Sequence, residues 1–329
     1  MHWFTEISIP KSPSPISHSS KILSMGSCFA QSIGQKMLDS KLDILVNPFG
    51  TIFHPNALAD LLEAGISGNQ ADQNLISERD GLFFHYSAHS DLVGKSKDEL
   101  LEKLNQRIEL TGGYLKTGTH LILTLGTAWV YELKETQTLV ANCHKQPSDF
   151  FEKRLLGLDE MKLALGNLFS KLSLFNPNLK IVLTVSPVRH IKDGIPENQL
   201  SKSLLRVLCA ALENEIENVS YFPAYEIMMD ELRDYRFYKS DMIHPAEQAE
   251  NYIWDKWAGA FFTPLTQKKV NQIFKIKLEL EHRPLNPGSE ANRQFLEKLL
   301  EKLERLQPEF DFSGEIQSVS KKINPPNPL

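Results

Sequence analysis

The amino-acid sequence predicts an α/β fold: a three-layer α/β/α sandwich around a mainly parallel five-stranded sheet, followed by a helical C-terminal appendage. Two observations carry this expectation. Short apolar runs recur at Lys21 to Met25, Asp43 to Val46, His120 to Leu125, Lys180 to Val185 and Val219 to Phe222, and helical patterns separate most of them. Strands alternating with helices imply parallel pairing with helices on both faces, because a parallel crossover needs an intervening element.

The chain opens with an irregular arm, Met1 to Ser20, rich in serine and broken by Pro10, Pro13 and Pro15. After the first strand a helix keeps Phe29, Ile33 and Met37 on one face; further helices are expected at Pro55 to Ala64, Asp98 to Leu110, Leu158 to Leu174 and Gln199 to Ile216. Two stretches interrupt the alternation. Gly81 to Asp91 carries Phe83, Phe84 and Tyr86, and Trp129 to Asn142 alternates like a hairpin, so both are expected to form side walls. Residues 1–262 read as one domain and 263–329 as an extension, with helices at Leu265 to Leu280 and Ser289 to Leu306 and a disordered tail from Asn324 to Leu329.

At 329 residues and 41% hydrophobic content the chain can bury a large core. A formal charge of −5 without a Lys/Arg block argues against a nucleic-acid surface. Cys28, Cys143 and Cys209 form no CxxC pair, so neither a disulfide framework nor a cysteine-rich zinc site is expected, and a reducing compartment is the simpler setting. No apolar run suits a signal peptide or a membrane span, so the expected location is cytoplasmic, with no membrane partner. Nothing in the sequence indicates a homo-oligomer, and no cofactor is expected.

The chemistry concentrates at two places. Lys21 to Met25 breaks into Gly26-Ser27-Cys28 and then a helical pattern, which sets Ser27 on a sharp strand-to-helix turn beside unpaired amides able to stabilise an oxyanion. Far downstream, Asp241-Met242-Ile243-His244 can supply a base, His244, and an orienting carboxylate, Asp241. Pro245 is expected to open a helix just behind the imidazole. The strand ends also collect Asn47 to Thr51, Gly126-Thr127 and Ser186 to His190 on the edge where open α/β sheets bind ligands.

Three segments, Gly26-Ser27-Cys28-Phe29-Ala30, Asn47-Pro48-Phe49-Gly50-Thr51 and Ser186-Pro187-Val188-Arg189-His190, resemble the bacterial GSCFA family, which is itself similar to the SGNH (GDSL-like) hydrolases. The resemblance runs from the first strand to Asp241/His244 and implies a three-layer fold and ester chemistry without fixing a substrate. It implies Ser27 as nucleophile, with Asp241 and His244 as the D-x-x-H pair. It further implies oxyanion donors at Ser27 and Gly50, with Thr127 standing where SGNH enzymes carry an asparagine. Where GDSL-like enzymes show Gly-Asp-Ser, this chain has Gly26-Ser27-Cys28, so the register stays open. Cys28 is the other nucleophile, placed behind Ser27 because a cysteine one residue into a helix is expected to turn towards packing.

Arg189 and His190 are candidate substrate-binding groups for a carboxylate or hydroxyl, and His144 in Asn142-Cys143-His144-Lys145 is a candidate pocket residue. A metal site is not expected: His85 and His89 lie in a strand-like segment, where residues four apart do not converge. Gly94-Lys95-Ser96 lacks the upstream glycine of a P-loop. The expected function is a serine hydrolase or acyltransferase acting on a small ester, such as an O-acylated carbohydrate; the alternative is a glycan-binding module on the same fold.

Overall fold

A computed structural model describes residues 5–324 of the chain. All five apolar runs are strands of one sheet: β1 (Lys21–Gly26), β2 (Asp43–Val46), β5 (His120–Leu125), β9 (Lys180–Val185) and β10 (Val219–Tyr221). Their spatial order is β10-β9-β5-β1-β2, and every pairing is parallel. The chain therefore begins inside the sheet, steps outward to β2, then returns past β1 to build β5, β9 and β10. This reversal creates a switch point at the C-terminal ends of β1 and β5.

Side chains alternate along the strands and divide the core in two. Leu23, Met25, Leu121, Leu123, Leu125, Ile181, Leu183 and Val185 face helices α2 (Pro55–Ser67), α3 (Lys97–Thr117), α4 (Leu158–Phe175) and α5 (Ile195–Glu215). Ile22, Ile44, Ile122 and Val182 face α1 (Cys28–Asp39) and α7 (Glu247–Phe261). Each fully buried aliphatic side chain contributes about 1.5–3 kcal/mol, so the two faces together fix strand order and register. Between β10 and α7, one helical turn, α6 (Ala224–Glu226), runs into a π-helical segment at Ile227–Glu231.

Several boundaries differ from those expected. α3 continues through Gly112-Gly113 to Thr117 because Gly112 is where α2 crosses: a Cβ there would lie 2.4 Å from the Gly65 carbonyl oxygen. Gly112 is a packing device, not a helix stop, while Gly113 beside it faces open space. α5 begins at Ile195, ahead of Gln199, with Pro196 in its first turn. α7, expected to open at Pro245, starts at Glu247 and buries Ala249, Ile253 and Trp257 on one stripe.

The inserts form small antiparallel sheets. β3 (Ile76–Arg79) pairs with β4 (Leu82–His85), and β6 (Trp129–Leu133) pairs with β7 (Thr138–Val140) as a hairpin that adds β8 (Phe151–Leu155) on its other side. The first insert reaches the main sheet where the His89 amide donates to the Phe49 carbonyl at 2.9 Å. The second reaches α5 where Trp129 Nε1 donates to the Glu197 carbonyl at 3.2 Å.

The C-terminal region holds three helices, α8 (Pro264–Glu281), α9 (Glu290–Leu306) and the unanticipated α10 (Ser313–Ile323), around Ile273, Leu299, Leu303, Phe312 and Val319. It is fastened to the far end of α1, away from the switch point: Lys41 meets Glu315 at 2.7 Å, Lys277 meets Asp39, and His18 packs on Phe310 at 4.7 Å. The N-terminal arm is irregular but partly anchored, with fully buried Ile16 bridging Phe262. The expected disordered tail falls, beyond Asn324, outside the described residues. Among the described residues no helix is long and apolar enough to cross a membrane.

Candidate active site

β1 ends in a glycine because nothing larger fits. Gly26 has φ +143°, and a Cβ on it would sit 2.2 Å from the Thr124 carbonyl oxygen. Its amide donates to Asn47 Oδ1 at 2.9 Å and its carbonyl accepts from the Ile52 amide at 2.9 Å, so the Asn47–Thr51 turn is tied to the end of β1. Ser27 then caps α1: its Oγ accepts from the Phe29 amide at 3.2 Å and donates to Ser186 Oγ at 2.9 Å. The Ser27 amide donates to the Thr124 carbonyl at 3.1 Å, and the residue is 0% exposed. Ser27 is thus a buried tie between the ends of β1, β5 and β9.

Cys28, the first residue of α1, stays half-buried; the helix face turned to the core consists of Phe29, Ala30, Ile33, Gly34 and Met37. The expectation that Cys28 turns into packing is therefore corrected, because at the first helical position its side chain lies off the core-facing stripe. Burial raises the thiol pKa, opposed by a hydrogen bond from its own amide and by the charges of Lys202 and Lys239. Burial thus disfavours the thiolate, and a thiol so placed reacts best with a base beside it.

Asp241 and His244, far downstream in the sequence, form the expected pair. His244 Nδ1 lies 2.7 Å from Asp241 Oδ2, while Asp241 Oδ1 accepts from the amides of Ile243 at 2.8 Å and His244 at 3.0 Å. These bonds hold the Asp241 carboxyl well below the usual carboxylate range. With Nδ1–H directed at the carboxylate, Nε2 is the nitrogen left to accept a proton. The turn is strained at Met242, φ +58°, and Arg189 secures it: the Arg189 amide donates to the Ile243 carbonyl at 3.1 Å and Nη1 to the Met242 carbonyl at 2.9 Å. Pro245 is not the helix start that was expected. It is buried against Tyr238 in an isolated bridge, and α7 starts after an Ala246 cap.

Ser27 and His244 share no hydrogen bond, and the expected oxyanion donors are committed elsewhere. The Ser27 amide is held by Thr124, the Gly50 amide donates to the Asn47 carbonyl at 2.8 Å, and the Thr127 amide donates to the Phe53 carbonyl at 3.1 Å. Thr127 Oγ1 pairs with Ser201 Oγ at 3.0 Å and accepts from the Trp129 amide at 3.0 Å. These groups close turns here and do not converge as a hole. The Gly26, Ser27 and Phe29 amides all have acceptors, whereas the Cys28 amide has none in another residue among the described residues.

The three substrate-binding candidates part ways. His144 is buried with both ring nitrogens taken, Nδ1 by Ser90 Oγ at 3.1 Å and Nε2 by the His85 carbonyl at 2.9 Å, and burial lowers its pKa to about 4. That corrects its place as a pocket residue: its ring, stacked on Phe84, holds the insert together. His190 keeps a free group; its amide donates to Asn198 Oδ1 at 2.7 Å, its ring meets Phe53 edge-on at 5.4 Å, and Nε2 is buried without a partner. Burial, then the Lys202 and His244 charges, depress its pKa to about 3. Arg189 holds the His244 turn and retains further unpaired N–H groups.

The sequence reading missed one residue of the site entirely. Lys202, on α5, is fully buried and donates to the carbonyls of Gly126 at 2.6 Å and Ser186 at 2.8 Å, clamping the ends of β5 and β9. No carboxylate pairs with it among the described residues; the nearest aromatic ring, Tyr225, lies 5.9 Å away. Desolvation drives its pKa down to about 7, against the pull of Cys28. The signal was a lysine on the apolar stripe that continues with Leu205 and Cys209.

None of the main clefts is lined by Ser27, Cys28 or His244, but one of about 220 Å³ adjoins the His244 turn through Arg189 and Tyr238. Among the described residues no group of three or more His, Cys, Asp or Glu side chains is placed to hold a metal ion. In comparison with known proteins, the GSCFA family model matches residues 21–257, and the model of the GSCFA domain protein C-terminal domain matches residues 273–325. No curated protein and no solved structure matches the chain.

Proposed function

The chain belongs to the GSCFA family across residues 21–257, and from that premise we propose that it is an acyl-transfer enzyme of hydrolase type. Its substrate is a small ester, such as an O-acylated carbohydrate. The observation that carries the reading is the Asp241–His244 pair, joined at 2.7 Å on a strained turn. Backbone strain at Met242 is a cost, and the turn that bears it carries a carboxylate that two amides hold in place to orient the His244 imidazole.

Of the two residues on the β1–α1 turn, Cys28 fits the nucleophile better than Ser27. Ser27 is fully buried with its hydroxyl donated to Ser186, whereas Cys28 is half-buried with its own amide beside the sulfur. In the reaction His244 Nε2 takes the thiol proton and the sulfur attacks the ester carbonyl. The carbonyl oxygen gains the negative charge beside the Cys28 amide. Collapse expels the alcohol, which receives the proton from His244, and leaves a thioester. Water, or an acceptor hydroxyl, then attacks with His244 again as base, releasing the acid or the transferred ester and restoring the thiol. The three free cysteines accord with a cytoplasmic, reducing setting for such a thiol.

The second reading, a glycan-binding module without turnover, is favoured by the committed amides of Ser27, Gly50 and Thr127. Hydrolysis of p-nitrophenyl acetate separates the two. The proposal expects turnover that falls by about 10²–10⁴ in His244→Gln; turnover unchanged by that substitution would remove the base and the proposal with it.

A further inference from the structure

The cavity of about 220 Å³ beside the His244 turn has a floor, walls and one uncommitted charge. Its floor is Met228 and Leu232, both buried, carried on the π-helical segment Ile227–Glu231 and the residue after it. π-Helical turns are rare and recur at functional sites. Tyr235 and Tyr238 wall it, their ring centroids 6.2 Å apart, and Met229 at 38% exposure and Tyr235 at 66% leave an apolar rim open to solvent.

The charges around the cavity are sorted. Arg233 pairs with Asp230 and Arg236 pairs with Asp234, so those acids and bases cancel. Arg189 is left over: its guanidinium lies 5.4 Å from the Tyr238 ring and 6.0 Å from the Tyr235 ring, gives one N–H to the Met242 carbonyl, and has no carboxylate partner among the described residues. A guanidinium with N–H groups to spare, at the mouth of an apolar cavity, is complementary to a carboxylate on an apolar stem. An apolar cavity of ~150 Å³ suffices for benzene, so this one takes a ring or a short alkyl chain and not an oligosaccharide.

We infer that this cavity binds a small carboxylate carrying an aromatic or short aliphatic group, with Arg189 on the carboxylate and the tyrosines and methionines around the stem. Because Arg189 also holds the Met242 carbonyl, the occupant sits against the turn that presents His244. Its role as part of the substrate, a carboxylate remote from the scissile ester, rests on the acyl-transfer reading; its binding does not.

The test is 3-phenylpropionate binding followed by saturation-transfer NMR, with 3-phenylpropionamide as the neutral control. Cys28→Ala protein is used beside wild type. Saturable binding of the acid, weaker by roughly tenfold for the amide and for Arg189→Gln, and abolished by cavity-filling Met229→Trp, is the expected result. Equal binding of acid and amide, binding indifferent to Met229→Trp, or no saturable binding to folded wild type overturns it. Retained binding in Cys28→Ala, in a protein that proves unable to hydrolyse any ester, leaves the cavity assignment standing and removes only the chemistry; turnover without binding does the reverse.

Discussion

Replacing Lys202 by Met tests the electrostatics of the site where they are most extreme. Lys202 is fully buried, bonded only to two neutral carbonyls, and its pKa falls from 10.5 to about 7. Between those values the unfolded chain binds a proton that the native protein does not. Native stability therefore rises with pH across that window, and the full burial penalty is present below it. The slope from this one group is about 1.4 kcal/mol per pH unit, or about 2 kcal/mol between about pH 7.5 and pH 9. Lys202→Met removes the charge while keeping most of the volume, and it leaves the Gly126 and Ser186 carbonyls without their donor at about 1–3 kcal/mol each. Urea unfolding of both proteins across that range should give stability differences that widen by about 2 kcal/mol in favour of wild type as pH rises. The groups facing Lys202, Cys28, His190 and Tyr225, remain in both proteins, so parallel profiles would refute a depressed Lys202 pKa.

Three further outcomes follow from the geometry. Ser27→Ala loses the α1 cap and the tie to Ser186, lowering stability by about 1–2 kcal/mol in urea unfolding, yet keeps ester turnover. Gly26→Ala forces a Cβ against the Thr124 carbonyl at a backbone angle that disfavours side chains, and should cost about 3 kcal/mol or more in the same assay. His54, buried between the Val140 carbonyl and the Ala57 amide, has its pKa lowered to about 4, so stability is lost as pH falls from 6.5 towards that value. His54→Asn keeps the cap and should flatten the acid limb of the stability profile by on the order of 3 kcal/mol; an unchanged limb contradicts the assignment.

The sheet was legible because its five strands are short, mostly apolar runs, the three central ones buried along nearly their whole length, and three of the five match the expected spans while the other two differ by one residue at an end. The meeting of Ser27, Gly126, Ser186 and Arg189 at one edge followed from strand direction alone. What escaped was set by tertiary contact. The helix expected to end at Leu110 runs on to Thr117 because α2 packs against Gly112, and Lys202 drew no notice because only the fold shows its stripe facing the strand ends. The choice between Ser27 and Cys28 is one residue of register at a helix start, and it turns on which side chain the Thr124 and Ser186 contacts hold down. Likewise the amides of Gly50 and Thr127 looked available in sequence because their acceptors, the Asn47 and Phe53 carbonyls, come from turn geometry that no motif encodes.

The central claim is a covalent intermediate on the β1–α1 turn raised by His244. The direct measurement is intact-mass and peptide mapping after incubation with p-nitrophenyl acetate, on wild type, Ser27→Ala, Cys28→Ala and His244→Ala. The account predicts a single acetyl adduct on Cys28, present in Ser27→Ala, absent in Cys28→Ala and formed far more slowly in His244→Ala. An adduct that survives in Cys28→Ala and disappears in Ser27→Ala would contradict the choice of nucleophile. Folded wild type that never acquires an adduct, even under rapid quenching, would contradict acyl transfer itself.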